Sequence, residues 1–156
     1  MKILGIDPGT TRIGFGVIES NKNTVTVIDY GIISTPGKDN ASDYKMISEK
    51  LSKLIKTHKP EKAGIEKLFF SKNRKTAMSV AEARGVAILT LANHGLQIAE
   101  FTPQQVKQAV SSYGSAGKAQ VERMVRLILK IKEPIRPDDA ADALAIAICC
   151  ANNNIY

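Results

Sequence analysis

Four acidic residues, Asp7, Glu66, Asp139 and Asp142, stand beside uncharged and largely apolar runs, where a folding chain tolerates charge least. Around Asp142 the sequence reads A-A-D-A-L-A-I-A-I-C-C-A, with a single acid in the uncharged run at residues 140–151. An ionised carboxylate carried into such surroundings costs several kcal/mol unless something compensates it. The chain must therefore fold so that these acids share a compensating environment. Several acids gathered at one place point to bound cations.

The rest of the molecule has the opposite charge. The net charge is +7, from 22 basic and 15 acidic residues, and the pI is near 9.5. With four acids sequestered, the remaining surface is more basic still, which favours a polyanionic partner such as nucleic acid. A length of 156 residues fits one domain, read here as spanning residues 1–156. No uncharged run approaches the ~20 residues of a membrane span. The opening M-K-I-L-G-I-D is interrupted too early for a signal peptide. Cys149 and Cys150 are neighbours, so they read as small core residues, not as a disulfide or a zinc site. A reducing cytoplasm is the expected compartment.

Hydrophobic periodicity places strands at residues 3–7, 13–19, 24–35, 63–66 and 96–101. D-P-G-T after the first strand is a turn signature. Helices are expected at residues 42–57, 74–93, 104–111, 118–131 and 139–151, with residues 36–40 as a loop. Three strands in a meander followed by β-α-β crossovers predict an α/β fold: a mixed five-stranded sheet flanked by helices.

Asp139 and Asp142 are three apart on a predicted helix and share one face near its N-terminus. Asp138, just after Pro137, reads as the helix N-cap. Asp7 taken alone fits an ordinary D-P-G turn, and Glu66 is ambiguous by itself, so the argument rests on all four acids together. The end of one strand, the end of another and a late helix can meet at one sheet edge. Like charges there would force some to protonate unless divalent cations lie between them. An all-oxygen set suits Mg²⁺ or Mn²⁺ and argues against zinc. Two such ions roughly 4 Å apart can activate water and stabilise a leaving oxygen in phosphodiester hydrolysis.

Six segments, I-L-G-I-D-P-G-T-T-R-I-G-F-G-V, I-E-K-L-F-F-S-K-N, E-A-R-G-V-A, T-P-Q-Q-V-K, Y-G-S-A-G-K-A-Q-V and D-A-A-D-A-L-A-I-A, together closely resemble RuvC. This is a family of Holliday-junction endonucleases with an RNase H-like fold. The likeness covers nearly the whole chain in the same order. It implies catalytic, metal-binding roles for Asp7, Glu66, Asp139 and Asp142, and active-site roles for Lys107 and Lys118. Some members carry His at the position of Asp139. Sequence alone does not fix whether Asp138 or Asp139 faces the metal.

Phe69 and Phe70 follow Glu66 in a segment that also carries Lys67, Lys72, Arg74 and Lys75. One phenylalanine is expected in the core; an aromatic on a basic loop can also stack on an unpaired base. The resemblance assigns junction binding to the position of Phe69. The helix at residues 74–93 is apolar on more than one face, so either a neighbouring helix or a second subunit covers part of it. His58 and His94 receive no role.

The resemblance implies an enzyme that resolves Holliday junctions by paired, symmetric nicks, using Mg²⁺ and leaving 5′-phosphate ends. It also implies a homodimer matched to the two-fold symmetry of a four-way DNA junction. A branch-migration complex of the RuvA and RuvB type and a preference for T-rich cleavage sequences are implied as well. A YqgF-like nuclease acting on ribosomal RNA shares the opening motif and is the nearer rival. A sugar-kinase or actin-type ATPase also opens on D-x-G-T-T, but needs two duplicated domains. A catalytically inactive junction-binding protein is the third, and the intact acidic set argues against it.

Overall fold

A computed structural model describes residues 1–21, 24–68, 74–111 and 114–153. The strands are β1 (Lys2–Asp7), β2 (Arg12–Asn21), β3 (Thr24–Ser34), β4 (Lys62–Glu66) and β5 (Gln97–Phe101). The helices are α1 (Asn40–His58), α2 (Arg74–Asn93), α3 (Pro103–Ser111), α4 (Lys118–Leu129) and α5 (Asp138–Asn152). The strands form one mixed sheet in the order β3-β2-β1-β4-β5. Pairing is antiparallel from β3 to β1 and parallel from β1 through β4 to β5, as the predicted meander and crossovers require.

Alternation along β1 sets the two faces of the sheet. Leu4 and Ile6 join Ile65, Val17 and the inner residues of α1 and α2 in one core cluster. Ile3 faces the opposite cluster, built with α3, α4 and α5. Helix α5 lies in the middle of that second layer. All its residues from Ala140 to Cys150 are buried except Asp142, so the helix is apolar on every side because every side is covered. Each fully buried Leu or Ile contributes about 1.5–3 kcal/mol, which anchors the helix firmly. Both thiols are buried and pushed up to about 11 by that burial, which fits their expected place in the core.

The close approach of α5 to the sheet depends on glycine. A Cβ on Gly5 would run into the main chain of Ala143, and one on Gly14 into the carbonyl of Asp139. Only residues without a side chain let the helix backbone rest directly on β1 and β2. At its far end α5 is held by the buried Lys62, whose Nζ donates to the Asn153 carbonyl at 3.0 Å.

Element boundaries differ from expectation where capping decides them. Helix α1 begins at Asn40, earlier than expected, because the Asp39 carboxylate accepts the Ser42 N–H at 3.0 Å. Helix α4 stops at Leu129 because Lys130 takes a left-handed conformation, with φ 56°. Asp138 is not the cap of α5. Pro137 holds that position with no side-chain bond, and Asp138, the first helical residue, pairs outward with Arg136 at 2.7 Å. His58, given no role from sequence, stands 2.9 Å from Asp29.

Candidate active site

Asp7 and Glu66 end two adjacent parallel strands. Each follows a glycine by two residues, Gly5 and Gly64, so each shares the face on which those glycines admit α5. The repeated pattern Gly-Ile-acid therefore does two things: the glycine lets the helix in, and the acid just beyond it meets the helix's own acids. Carboxyl ends of parallel strands are where α/β sheets usually place their ligands.

The two strand acids, together with Asp139, Asp142, Lys107 and Lys118, line one cleft of about 340 Å³ with Pro103, Val106 and Val121 among its apolar walls. Lys107 arrives on α3, whose start is fixed by reciprocal bonds: Thr102 Oγ1 accepts the Gln105 N–H at 3.1 Å, and Gln105 Oε1 accepts the Thr102 N–H at 2.8 Å. Lys118 is the first residue of α4, and its Nζ lies 3.8 Å from Asp142 Oδ2. A larger groove of about 500 Å³ runs along α1, but no acidic cluster lies in it.

Asp139 faces this cleft, while Asp138 lines a neighbouring one with Arg136, Glu122 and Lys118. Asp142 lines both clefts, and of the adjacent pair only Asp139 lines the one that holds Asp7 and Glu66. Arg12, which sequence reasoning left unassigned, lies with its Nε 3.6 Å from Asp139 Oδ2. Its place in D-P-G-T-T-R, one turn beyond Asp7, was the available signal. Arg84 was also passed over; its Nε donates to the main-chain oxygen of Glu66 at 2.8 Å.

Lys67 is exposed beside Glu66 but does not line the cleft. Phe69, Phe70 and Lys72 lie outside the described residues, as do the side chains of Arg74 and Lys75, which open α2.

The electrostatics show an uncompensated cluster. Burial, followed by the charges of Asp142, Glu66 and Asp139, pushes the Asp7 carboxyl up from 3.8 to about 8 despite the opposing pull of Lys118. Burial also raises Glu66 and Asp142; the Asp142 charge adds to the effect on Glu66, while Lys107 and Lys118 oppose the rise at both. Among the described residues no three His, Cys, Asp or Glu side chains are grouped so as to hold a metal ion by themselves. Mg²⁺ does not need such a group, since water and substrate phosphate commonly complete its shell around one or two carboxylates. Hard oxygen donors and excess negative charge fit such an ion.

Acids from two parallel strand ends and from a helix packed across them, on a sheet ordered 3-2-1-4-5, define an RNase H-like nuclease. Comparison with known proteins narrows the class. The family model for crossover junction endodeoxyribonuclease RuvC matches residues 3–150, and the chain belongs to that family. It is 50% identical over 153 residues to crossover junction endodeoxyribonuclease RuvC of Petrotoga mobilis, covering 97% of this chain and 94% of that one. Its counterpart in Halothermothrix orenii is 49% identical over 154 residues, covering 98% and 93%. The structure of Thermus thermophilus RuvC in complex with Holliday junction substrate superposes with a TM-score of 0.89 at 32% identity, covering 96% and 92%. The YqgF-like reading is thereby not favoured.

Proposed function

We propose that this chain, as one RNase H-like domain over residues 1–156, resolves Holliday junctions by paired hydrolysis of two opposed strands. The observation that carries the reading is the single cleft in which Asp7, Glu66, Asp139 and Asp142 meet Lys107 and Lys118. The four acids would hold Mg²⁺, two ions per site, with Mn²⁺ as a substitute. Bound Mg²⁺ supplies Lewis acidity, which acidifies an attacking water and neutralises charge on the scissile phosphate.

The protein's own groups do the rest. Asp7 must release its proton before it can act as a ligand, and its raised pKa makes that release depend on a nearby cation. Lys107 and Lys118, which line the cleft, would bind phosphate oxygens, and charge-assisted bonds there would strengthen as negative charge builds in the transition state. Arg12 braces Asp139 at the rim. Val106 and Val121 give the cleft an apolar wall. In-line attack at phosphorus breaks the bond to the 3′ oxygen and leaves 5′-phosphate and 3′-hydroxyl ends.

Phe69 and Phe70, with Lys67, Lys72, Arg74 and Lys75, would form the junction-binding edge beside Glu66. A second copy of the chain would dock on α2, where Met78 and Leu89 are 68% and 61% exposed on a face shared with Ala81 and Gly85. An isologous dimer presents two clefts to two opposed strands. Collaboration with a RuvA and RuvB type complex in the cytoplasm belongs to the same proposal. No helix of the described residues is long and apolar enough to cross a membrane.

The test uses end-labelled four-way junction and linear duplex, each with Mg²⁺ or EDTA, against wild type and Asp7→Asn. Paired symmetric nicks only with wild type, junction and Mg²⁺ together support the proposal. Equal cutting of the duplex, or undiminished cutting by Asp7→Asn, defeats it.

A further inference from the structure

The segment E-A-R-G-V-A, on α2, has no part in the reaction set out above, yet its arginine reaches the catalytic strand. Arg84 Nε donates to the main-chain oxygen of Glu66 at 2.8 Å, while Nη2 pairs with Glu100 Oε2 on β5. The Arg84 side chain is only 17% exposed, so the guanidinium is wedged between helix and sheet.

Glu66 has a carbonyl that the sheet cannot satisfy. The β1–β4 ladder ends at Ile6 and Ile65. The Lys67 N–H, in the same peptide plane, turns to the Phe101 carbonyl at 2.7 Å, so the Glu66 carbonyl points the other way, toward β1. There the chain continues into Pro8, which has no N–H to give. Arg84 fills the gap left by that proline.

We infer that Arg84 is a positioning residue for the Glu66 carboxylate, acting from α2 through the main chain; the inference rests on the nuclease reading of the cleft. One bond from the planar fork holds the peptide that leaves Glu66, and the second, to Glu100, fixes the orientation of the fork. That peptide sets the direction in which the side chain leaves the strand toward Asp7 and Asp142. A lysine at this position has a single point charge and no fork, so it can replace one contact at most.

The test compares R84M, R84K and E100Q with wild type in the full chain. The measurements are junction cutting across a Mg²⁺ titration, junction affinity in EDTA, and amide hydrogen exchange. R84M is expected to lower kcat at least tenfold, to raise half-saturating Mg²⁺ severalfold, and to leave junction affinity within twofold. Exchange at the Lys67 amide should quicken at least tenfold while the interior amides of β1 stay unchanged. R84K should recover part of the loss, and E100Q should show the same pattern more weakly. Unchanged kcat and unchanged Lys67 exchange in R84M, or a uniform rise in exchange over the whole sheet, would overturn the inference. Should R84M fail to fold, E100Q decides alone by the same measures. A wild type that cuts no junction defeats the nuclease reading itself, whereas normal cutting by wild type and both arginine variants defeats only the role of Arg84.

Discussion

The ammonium of Lys118 stands 3.8 Å from Oδ2 of Asp142, the first residue of one helix facing a half-buried acid on another. A single partly exposed cation at that distance cannot neutralise four carboxylates. Burial, and after it the residual charge of the neighbouring acids, keeps Asp7 protonated up to about pH 8, and that charge is what divalent ions would relieve.

Removal of that cation should act on chemistry more than on folding. Lys118→Ala is expected to lower kcat on a four-way junction about 10–100-fold, as loss of a transition-state contact does. Lys118 pulls down the carboxyls of Asp7, Glu66 and Asp142, so its loss should move the acid limb of the pH–rate profile upward. The pair is largely open to water, so thermal stability should change by less than about 1 kcal/mol.

The raised Asp7 pKa has a consequence for stability. The folded chain holds this proton up to about pH 8, whereas the unfolded chain releases it near 3.8. The folded state therefore binds more protons between those values, and stability falls as pH rises through that window. Without divalent cations, Asp7→Asn should be more stable than wild type at pH 8, by about 1–3 kcal/mol, and have a flatter pH dependence. Adding Mg²⁺ at pH 8 should raise the Tm of wild type and leave that of the variant nearly unchanged. Calorimetric scans at pH 5 and pH 8 would check all of this.

Adjacent acids should behave differently. Asp139 faces the cleft and Asp138 pairs with Arg136 on the surface. Asp139→Asn is expected to reduce cutting by at least about 10²-fold, while Asp138→Asn stays within twofold. Equal loss in both would show that the placement of Asp139 does not matter.

The glycine contact can be tested by one methyl group. Gly5→Ala should destabilise the fold by about 3 kcal/mol or more, because its Cβ meets helix backbone that cannot move aside. Urea unfolding would measure it. Gly85→Ala, on the open face of α2 with nothing nearby, is the control and should leave monomer stability unchanged or slightly raised.

Leu89→Glu places a charge in the exposed stripe of α2 and should give a monomer by sedimentation. Cutting by that variant should leave single nicks in place of paired ones.

Much of the architecture was legible along the chain because its signals are local. Alternation in β1, the Pro and Gly turn after Asp7, and the apolar stripe of α4 each depend on near neighbours in sequence. Helix boundaries were less legible, since Asp39 and Lys130 decide them by cap geometry that several residues could have supplied. The Asp138 cap failed because the helix takes Pro137 as its cap residue and already begins at Asp138, whose carboxylate accepts from Arg136.

Sequence by itself determined which side chains carry charge into apolar surroundings, and so determined that Asp7, Glu66, Asp139 and Asp142 needed a shared solution, with Asp138 left as the alternative to its neighbour. Only the tertiary structure decided which face each acid occupies, that Asp139 joins them and Asp138 does not, and that Arg12 and Arg84 brace the cluster. The physical reason is range. Propensity and period act over a few residues, whereas the cleft depends on glycines of β1 and β2 admitting a helix more than a hundred residues further along the chain.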